Sequence, residues 1–282
     1  MRAVVSAVCL ITFFASSGLS MSAQWPKRMP PDVPKTAAGQ VDVNAPAPKT
    51  ADGKPDLSGL WRGGQSFGGA RRGGGPGGRG ADAPPPAPPA GPPVANFLDI
   101  ASGMTGGAPL TPYGAEILKK RVAGNSKDNP EAHCLPMGII QLHTQGAPRR
   151  FIQTARQLII LYEASSEHRE IHLDGRPLPP MGEPQPWWNG YSVGHWEGDT
   201  LVVETNNFRD DGWLDVRGTP LTDQGKITER FRRTSYGRMD IDITIEDPKA
   251  YTKSWTVRAS QTLMPDEDII EFICLENQRF GK

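Results

Sequence analysis

The chain has little of what usually announces a chemistry. It has no G-x-x-x-x-G-K-[ST] phosphate loop, no G-x-G-x-x-G leading from a strand into a helix, no H-E-x-x-H and no C-x-x-C. Those absences exclude the sequence-readable nucleotide-binding, helical zinc-peptidase and dithiol-redox classes. It also has no excess charge of either sign, with 31 Lys+Arg against 31 Asp+Glu. Nothing in that balance points to nucleic acid or to an anionic membrane surface. Cysteine is scarce, at three residues, and histidine numbers five. Hydrophobic residues make up only 37%, because 32 Gly and 28 Pro crowd into particular stretches that cannot build a core.

What is present begins with an export signal over 1–23. Arg2 supplies a positive charge, Ala3 to Ala15 run apolar and uncharged, and Gly18, Ser20, Ser22 and Ala23 are small. The run is shorter than the roughly 20 apolar residues that a bilayer span needs, so no membrane span is expected once the signal is removed. Cleavage is expected after Ser22 or Ala23, giving a periplasmic or extracellular protein. Removal takes Cys9 away and leaves Cys134 and Cys274. An even pair in an oxidising compartment reads as one disulfide, with two buried free thiols as the alternative.

Residues 24–54 are rich in Pro, Ala and Lys without apolar periodicity and read as a disordered tether. A first strand is expected over 55–62, in Pro55-Asp56-Leu57-Ser58-Gly59-Leu60-Trp61. A disordered Gly/Pro-rich insertion follows over 63–95. Arg71, Arg72 and Arg79 give it a basic tint, readable as an RGG-like arm or as a solvated insertion; no nucleic-acid partner is expected. The remaining 96–282 forms one domain with that first strand. Thr111 to Val122 is the one expected helix, with Thr111 as cap, Pro112 in the first turn and Gly124 at its end.

From Arg150 onward short strands alternate with turns. The expected strands are 150–154, 158–163, 168–173, 192–197, 200–205, 227–233, 238–247, 255–263 and 269–274. Met239, Ile241, Ile243 and Ile245 alternate with Asp240, Asp242, Thr244 and Glu246, the pattern of a strand with one wet face. The fold class is therefore mainly β: an antiparallel meander, protected at its edges by closure into a barrel, with one short helix.

Two resemblances stand on particular residues. Gly59-Leu60-Trp61 at the head of a meander is similar to the G-x-W start of lipocalins and other calycin barrels. Further on, Cys134-Leu135-Pro136, His168 to Arg176, Gly194-His195-Trp196-Glu197-Gly198-Asp199-Thr200-Leu201, Asp247-Pro248 and Ile273-Cys274-Leu275-Glu276-Asn277 resemble a family of uncharacterised bacterial exported proteins. Together they cover roughly Leu110 to Asn277. The resemblance implies one intact domain and the pairing of Cys134 with Cys274; it brings no activity.

Candidate chemistry gathers in three places. His168, Glu170 and His172, at spacing two, share one strand face, and with His195 they are the candidates for a metal site, although no bound metal is expected. His168, His172 and His195, with Glu170 or Glu197, are also the candidates for acid–base work in a hydrolase, lyase or isomerase; His168 with Glu163 is a further pair. Arg169 alternates with Ile171 and Leu173 and so points inward. There it clamps a ligand carboxylate or pairs with a core Glu such as Glu204 or Glu229. The aromatics Trp187, Trp188, Tyr191 and Trp196 are candidates for ligand binding, by stacking on a sugar or lining an apolar pocket, or else a plug at one barrel end. The leading expectation is an extracytoplasmic protein binding a small apolar or aromatic ligand, without a cofactor, through Arg169, Trp187, Trp188, Tyr191 and Trp196. An enzyme and an envelope-interaction module are the alternatives.

Overall fold

The computed structural model describes residues 29–63, 91–183 and 185–274. The signal segment, most of the Gly/Pro-rich insertion with Arg71, Arg72 and Arg79, and the stretch after Cys274 lie outside the described residues. Eleven strands are formed: β1 (Gly59–Gly63), β2 (Pro148–Gln153), β3 (Gln157–Tyr162), β4 (His168–His172), β5 (Tyr191–Glu197), β6 (Thr200–Asn206), β7 (Gly212–Trp213), β8 (Pro220–Leu221), β9 (Lys226–Ser235), β10 (Arg238–Glu246) and β11 (Trp255–Leu263). Nine of them close into a barrel in the order β1-β11-β10-β9-β6-β5-β4-β3-β2, while β7 and β8 form a separate small hairpin. Closure covers the strand edges of the barrel, apart from the short opening between β4 and β5.

Period-two patterning sets which residues face inward. Met239, Ile241, Ile243 and Ile245 of β10 are fully buried against Ile227 and Phe231 of β9 and Val257 and Ala259 of β11. Trp61 is buried as well; its indole N–H donates to the Leu57 carbonyl at 3.0 Å, and the Arg233 guanidinium lies 4.9 Å from its ring.

Four features differ from what the sequence leads one to expect. First, α1 (Pro112–Ala123), capped by Thr111, is joined by a second helix, α2 (Ile139–Thr144), all six of whose residues are buried. A helix with no face left to solvent lies in the core, and its polar Gln141, His143 and Thr144 are bonded there. Gly63 lets it come close: a Cβ there would sit 2.2 Å from the His143 carbonyl oxygen.

Second, β4 and β5 pair in parallel, and only at Ile171–Ser192 and His172–Val193, so the meander is not antiparallel throughout. The connecting stretch 173–190 contains Pro177, Pro179, Pro180 and Pro186. Proline has no N–H for a ladder, so the chain crosses outside the sheet before re-entering it.

Third, Ile269–Cys274 is not a strand. β11 is paired with β10 along one side, and on the other with β1 over Gln261–Leu263 and with residues 93–95 at Arg258, which leaves little edge for it. The tail is held instead by side chains. Ile270 N–H donates to Glu163 at 3.1 Å, Ser166 donates to the Phe272 carbonyl at 2.9 Å, and Arg150 pairs with Asp268 at 2.9 Å. Cys274 is joined to Cys134.

Fourth, the stretch read as a tether lies against the barrel where it is described. Bridges Lys35–Val41 and Lys49–Pro55 close two turns. The Tyr236 and Gly237 N–H groups donate to the Ala45 and Val43 carbonyls at 2.7 and 2.9 Å. Backbone hydrogen bonds to the β9–β10 turn order it without any apolar pattern.

Inside the barrel a charged cluster replaces part of the apolar core. The Glu229 carboxylate accepts from His143 Nε2 at 2.8 Å and from two guanidinium nitrogens of Arg169. Arg169 also donates to Ser192 Oγ at 3.1 Å and Thr205 Oγ1 at 2.9 Å. Arg149, with no carboxylate beside it, donates to the carbonyls of His143, Gln145 and Ala147, capping the C-terminal end of α2. Burial lowers Arg149 to about 10 and keeps His143 neutral by pulling it below its ordinary value. Burial alone would raise Glu229, but the Arg169 charge and the hydrogen bonds outweigh it and bring the carboxyl down to about 2.

Two outcomes follow from this packing. A depressed carboxyl pKa means that the stability Glu229 contributes is present above its ordinary value of 4.5 and is lost as pH falls toward 2. Glu229→Gln should therefore cost about 3–5 kcal/mol at pH 7 and flatten the acid limb of a stability–pH curve measured by urea unfolding. A variant as stable as the parent would show that the cluster is not a keystone. The bridge between Cys134 and Cys274 spans 140 residues. Loop-closure entropy then assigns it about 4–5 kcal/mol. The double Ser variant should lose on the order of 10 °C in melting temperature by calorimetry.

Candidate functional site

The site grows out of the β4–β5 seam. Alternation along β4 turns Arg169 and Ile171 inward and leaves His168, Glu170 and His172 on the outer face. Because pairing with β5 begins only at Ile171, the first three residues of β4 have no strand partner on that side. The chain entering β5 spreads away from them and leaves a cleft of about 540 Å³. From β4 and the residue before it come Glu167, His168, Glu170 and His172; from the loop come Trp187, Trp188 and Tyr191.

The loop is fixed from behind. Trp187 N–H donates to the Asn207 carbonyl at 2.8 Å, and Arg209 N–H to the Trp187 carbonyl at 3.1 Å. Asn207, in the left-handed region, donates through its amide to the Pro180 and Glu183 carbonyls at 3.1 and 2.8 Å. Gly190 has φ 65°, and a Cβ there would lie 2.6–2.7 Å from Thr205, Asn206 and Phe208. Only glycine admits that turn, and the turn brings Tyr191 beside His172.

The rings form a row. Tyr191 lies 5.2 Å from His172 and 5.5 Å from Trp187, centroid to centroid. Arg176, paired with Asp174, donates to the Tyr191 hydroxyl at 2.9 Å. The Arg209 guanidinium stands 4.6 Å from the Trp188 ring. Burial, then the nearby Arg176 charge, lowers His172 below its ordinary value, and its Nδ1 is buried without a partner. Glu167 ties the cleft together: one carboxylate oxygen accepts from Met137 N–H at 3.0 Å, the other from the Asn189 amide at 2.8 Å. Burial raises its carboxyl. Glu170, by contrast, is exposed and makes no hydrogen bond or ion pair among the described residues.

The remaining candidates lie elsewhere. Arg169 borders the cleft, but its guanidinium is turned inward and bonded to Glu229, Ser192 and Thr205. Trp196 packs against the core and does not line the cleft. His195 is solvent-exposed on β5 and pairs with Glu197 at 3.3 Å; Glu197 in turn meets Arg230 at 2.7 Å. His168, His172 and His195 thus do not converge, and Glu163 accepts from Ile270 rather than pairing with His168. Among the described residues no three His, Cys, Asp or Glu side chains are grouped so as to hold a metal ion. Trp188 also borders a second cleft of about 420 Å³, lined by residues including Tyr113, Lys120, Asp128 and Asp211.

Sequence reasoning missed Glu167, Asn189 and Asn207, whose roles come from contacts across the chain that no local spacing signals. It also missed Gly64-Gln65-Ser66-Phe67-Gly68, which spells the G-x-S-x-G of a nucleophile elbow but lies outside the described residues.

Comparison with protein-family models, curated proteins and solved structures gives no match for this chain.

If Glu167 is the tie that holds the loop, Glu167→Ala leaves the Asn189 amide and the Met137 N–H unpartnered, at about 1–3 kcal/mol each. Hydrogen exchange measured by mass spectrometry should then quicken at least tenfold over Trp187–Tyr191. Unchanged protection there would show that Asn207 and Gly190 suffice.

Proposed function

We propose that the protein is an exported binding protein that takes a small organic molecule with an apolar or aromatic face into the cleft between β4 and the Trp187–Tyr191 loop. The observation that carries this reading is the meeting of Trp187, Trp188 and Tyr191 with the outer face of β4 around one open space of about 540 Å³. That volume falls within the range of small-molecule sites, and the lining is aromatic with a few polar groups, as such sites are. The barrel interior is not the site in this reading, because α2 and the Glu229 cluster occupy it. The export part rests on the N-terminal signal pattern and on the Cys134–Cys274 pair, a bond that belongs to oxidising compartments. Among the described residues no helix is long and apolar enough to cross a membrane.

Aromatic pairing contributes about 0.5–1.5 kcal/mol per ring beyond the area it buries. Each of Trp187→Ala and Trp188→Ala should therefore weaken binding about tenfold. The check is native mass spectrometry of protein recovered from its exporting host, followed by calorimetric titration with a panel of neutral aromatic compounds. A stoichiometric organic adduct that both variants lose supports the reading. Binding that neither substitution changes would place the ligand elsewhere.

A further inference from the structure

The cleft has a sign. Its lining includes two carboxylates, Glu167 and Glu170, and one cationic side chain, Arg169, whose guanidinium is turned into the barrel and spent on Glu229. Neither Arg176 nor Arg209 is among the lining residues. Glu167 already accepts two hydrogen bonds, but Glu170 stands exposed between His168 and His172 with no partner. Indole and phenol faces beside it are electron-rich and attract cations. Trp188 does so already, with the Arg209 guanidinium 4.6 Å from its ring. Trp187 brings a second indole into the same space. An anionic ligand would meet two carboxylates, while the Arg176 guanidinium nearby is engaged by Asp174 and the Tyr191 hydroxyl and that of Arg209 lies against the Trp188 ring. A cationic head would meet indole faces and one unpaired carboxylate, the combination that recognises organic ammonium groups.

We propose that the ligand of this cleft is an organic cation, an ammonium group carried on a small apolar body, seated on Trp187 and Trp188 with its charge toward Glu170. The inference rests on the cleft reading given above and narrows its ligand class. It also reverses the sign that a free Arg169 clamp would have selected.

The test compares choline with its uncharged carbon isostere, 3,3-dimethylbutan-1-ol, by isothermal titration of the full exported protein at constant ionic strength, with neutral aromatic compounds titrated alongside. The expected result is that choline binds on the order of tenfold tighter than the isostere. Raising the salt concentration should weaken choline alone. Glu170→Gln, an exposed and near-isosteric change, should narrow the gap between the two probes to about twofold, with circular dichroism confirming an unchanged fold. Isostere binding equal to or tighter than that of choline, or a gap that Glu170→Gln leaves untouched, overturns the charge preference. So does binding of neutral aromatics without choline, and in each of these cases the cleft reading survives. Failure of every probe, neutral aromatics included, would overturn both.

Discussion

The Glu229 carboxylate is the point on which the barrel turns. Two arginines and a histidine are drawn into the buried interior, and one carboxylate accepts from two of the three. A guanidinium left alone in that setting would cost several kcal/mol of lost hydration. Arg149 escapes that cost differently, by taking the carbonyls that the end of α2 leaves open. Helix, β4 and β9 are thereby locked to one another by directional bonds, where apolar contacts alone would tolerate sliding. The cleft inherits its geometry from this lock. Arg169, held inside, fixes the pleat of β4, and the pleat sets His168, Glu170 and His172 outward.

The exterior site follows from a filled interior. A barrel of this size offers an inner cavity only if its inward side chains stop short of the axis. Here α2, Trp61, Phe151 and Phe231 are all buried within it. The ladder opens between β4 and β5, and there a proline-rich crossing carries aromatic side chains to the sheet's outer face, around the candidate cleft.

How much of this could be read from the chain depended on whether a signal was local. The alternation of Met239, Ile241, Ile243 and Ile245 states its own pleat, and the spacing of His168, Glu170 and His172 states theirs. The aromatic loop was visible as Trp-Trp-Asn-Gly-Tyr between prolines. By contrast, α2 has only six residues and mixes Ile and Leu with Gln, His and Thr, too short a run for periodicity to reveal it. Ile269–Cys274 has strand-like composition, yet barrel closure left it little edge. The pairing of Arg169 with Glu229, separated by 60 residues, was one of two readings that the local pattern left equal. Burial of the whole network, which no single stretch encodes, decides between them.

The strand that closes the barrel is also the first to be made. β1 holds β2 on one side and β11 on the other, with Trp61 opposite Leu263. A ribosome releases β1 long before β11, and pairing of Trp61 with Leu263 across so long a stretch is slow because the intervening chain must be ordered first. The unclosed sheet therefore presents two bare edges for as long as β11 is missing, which is when such a chain is most open to wrong partners.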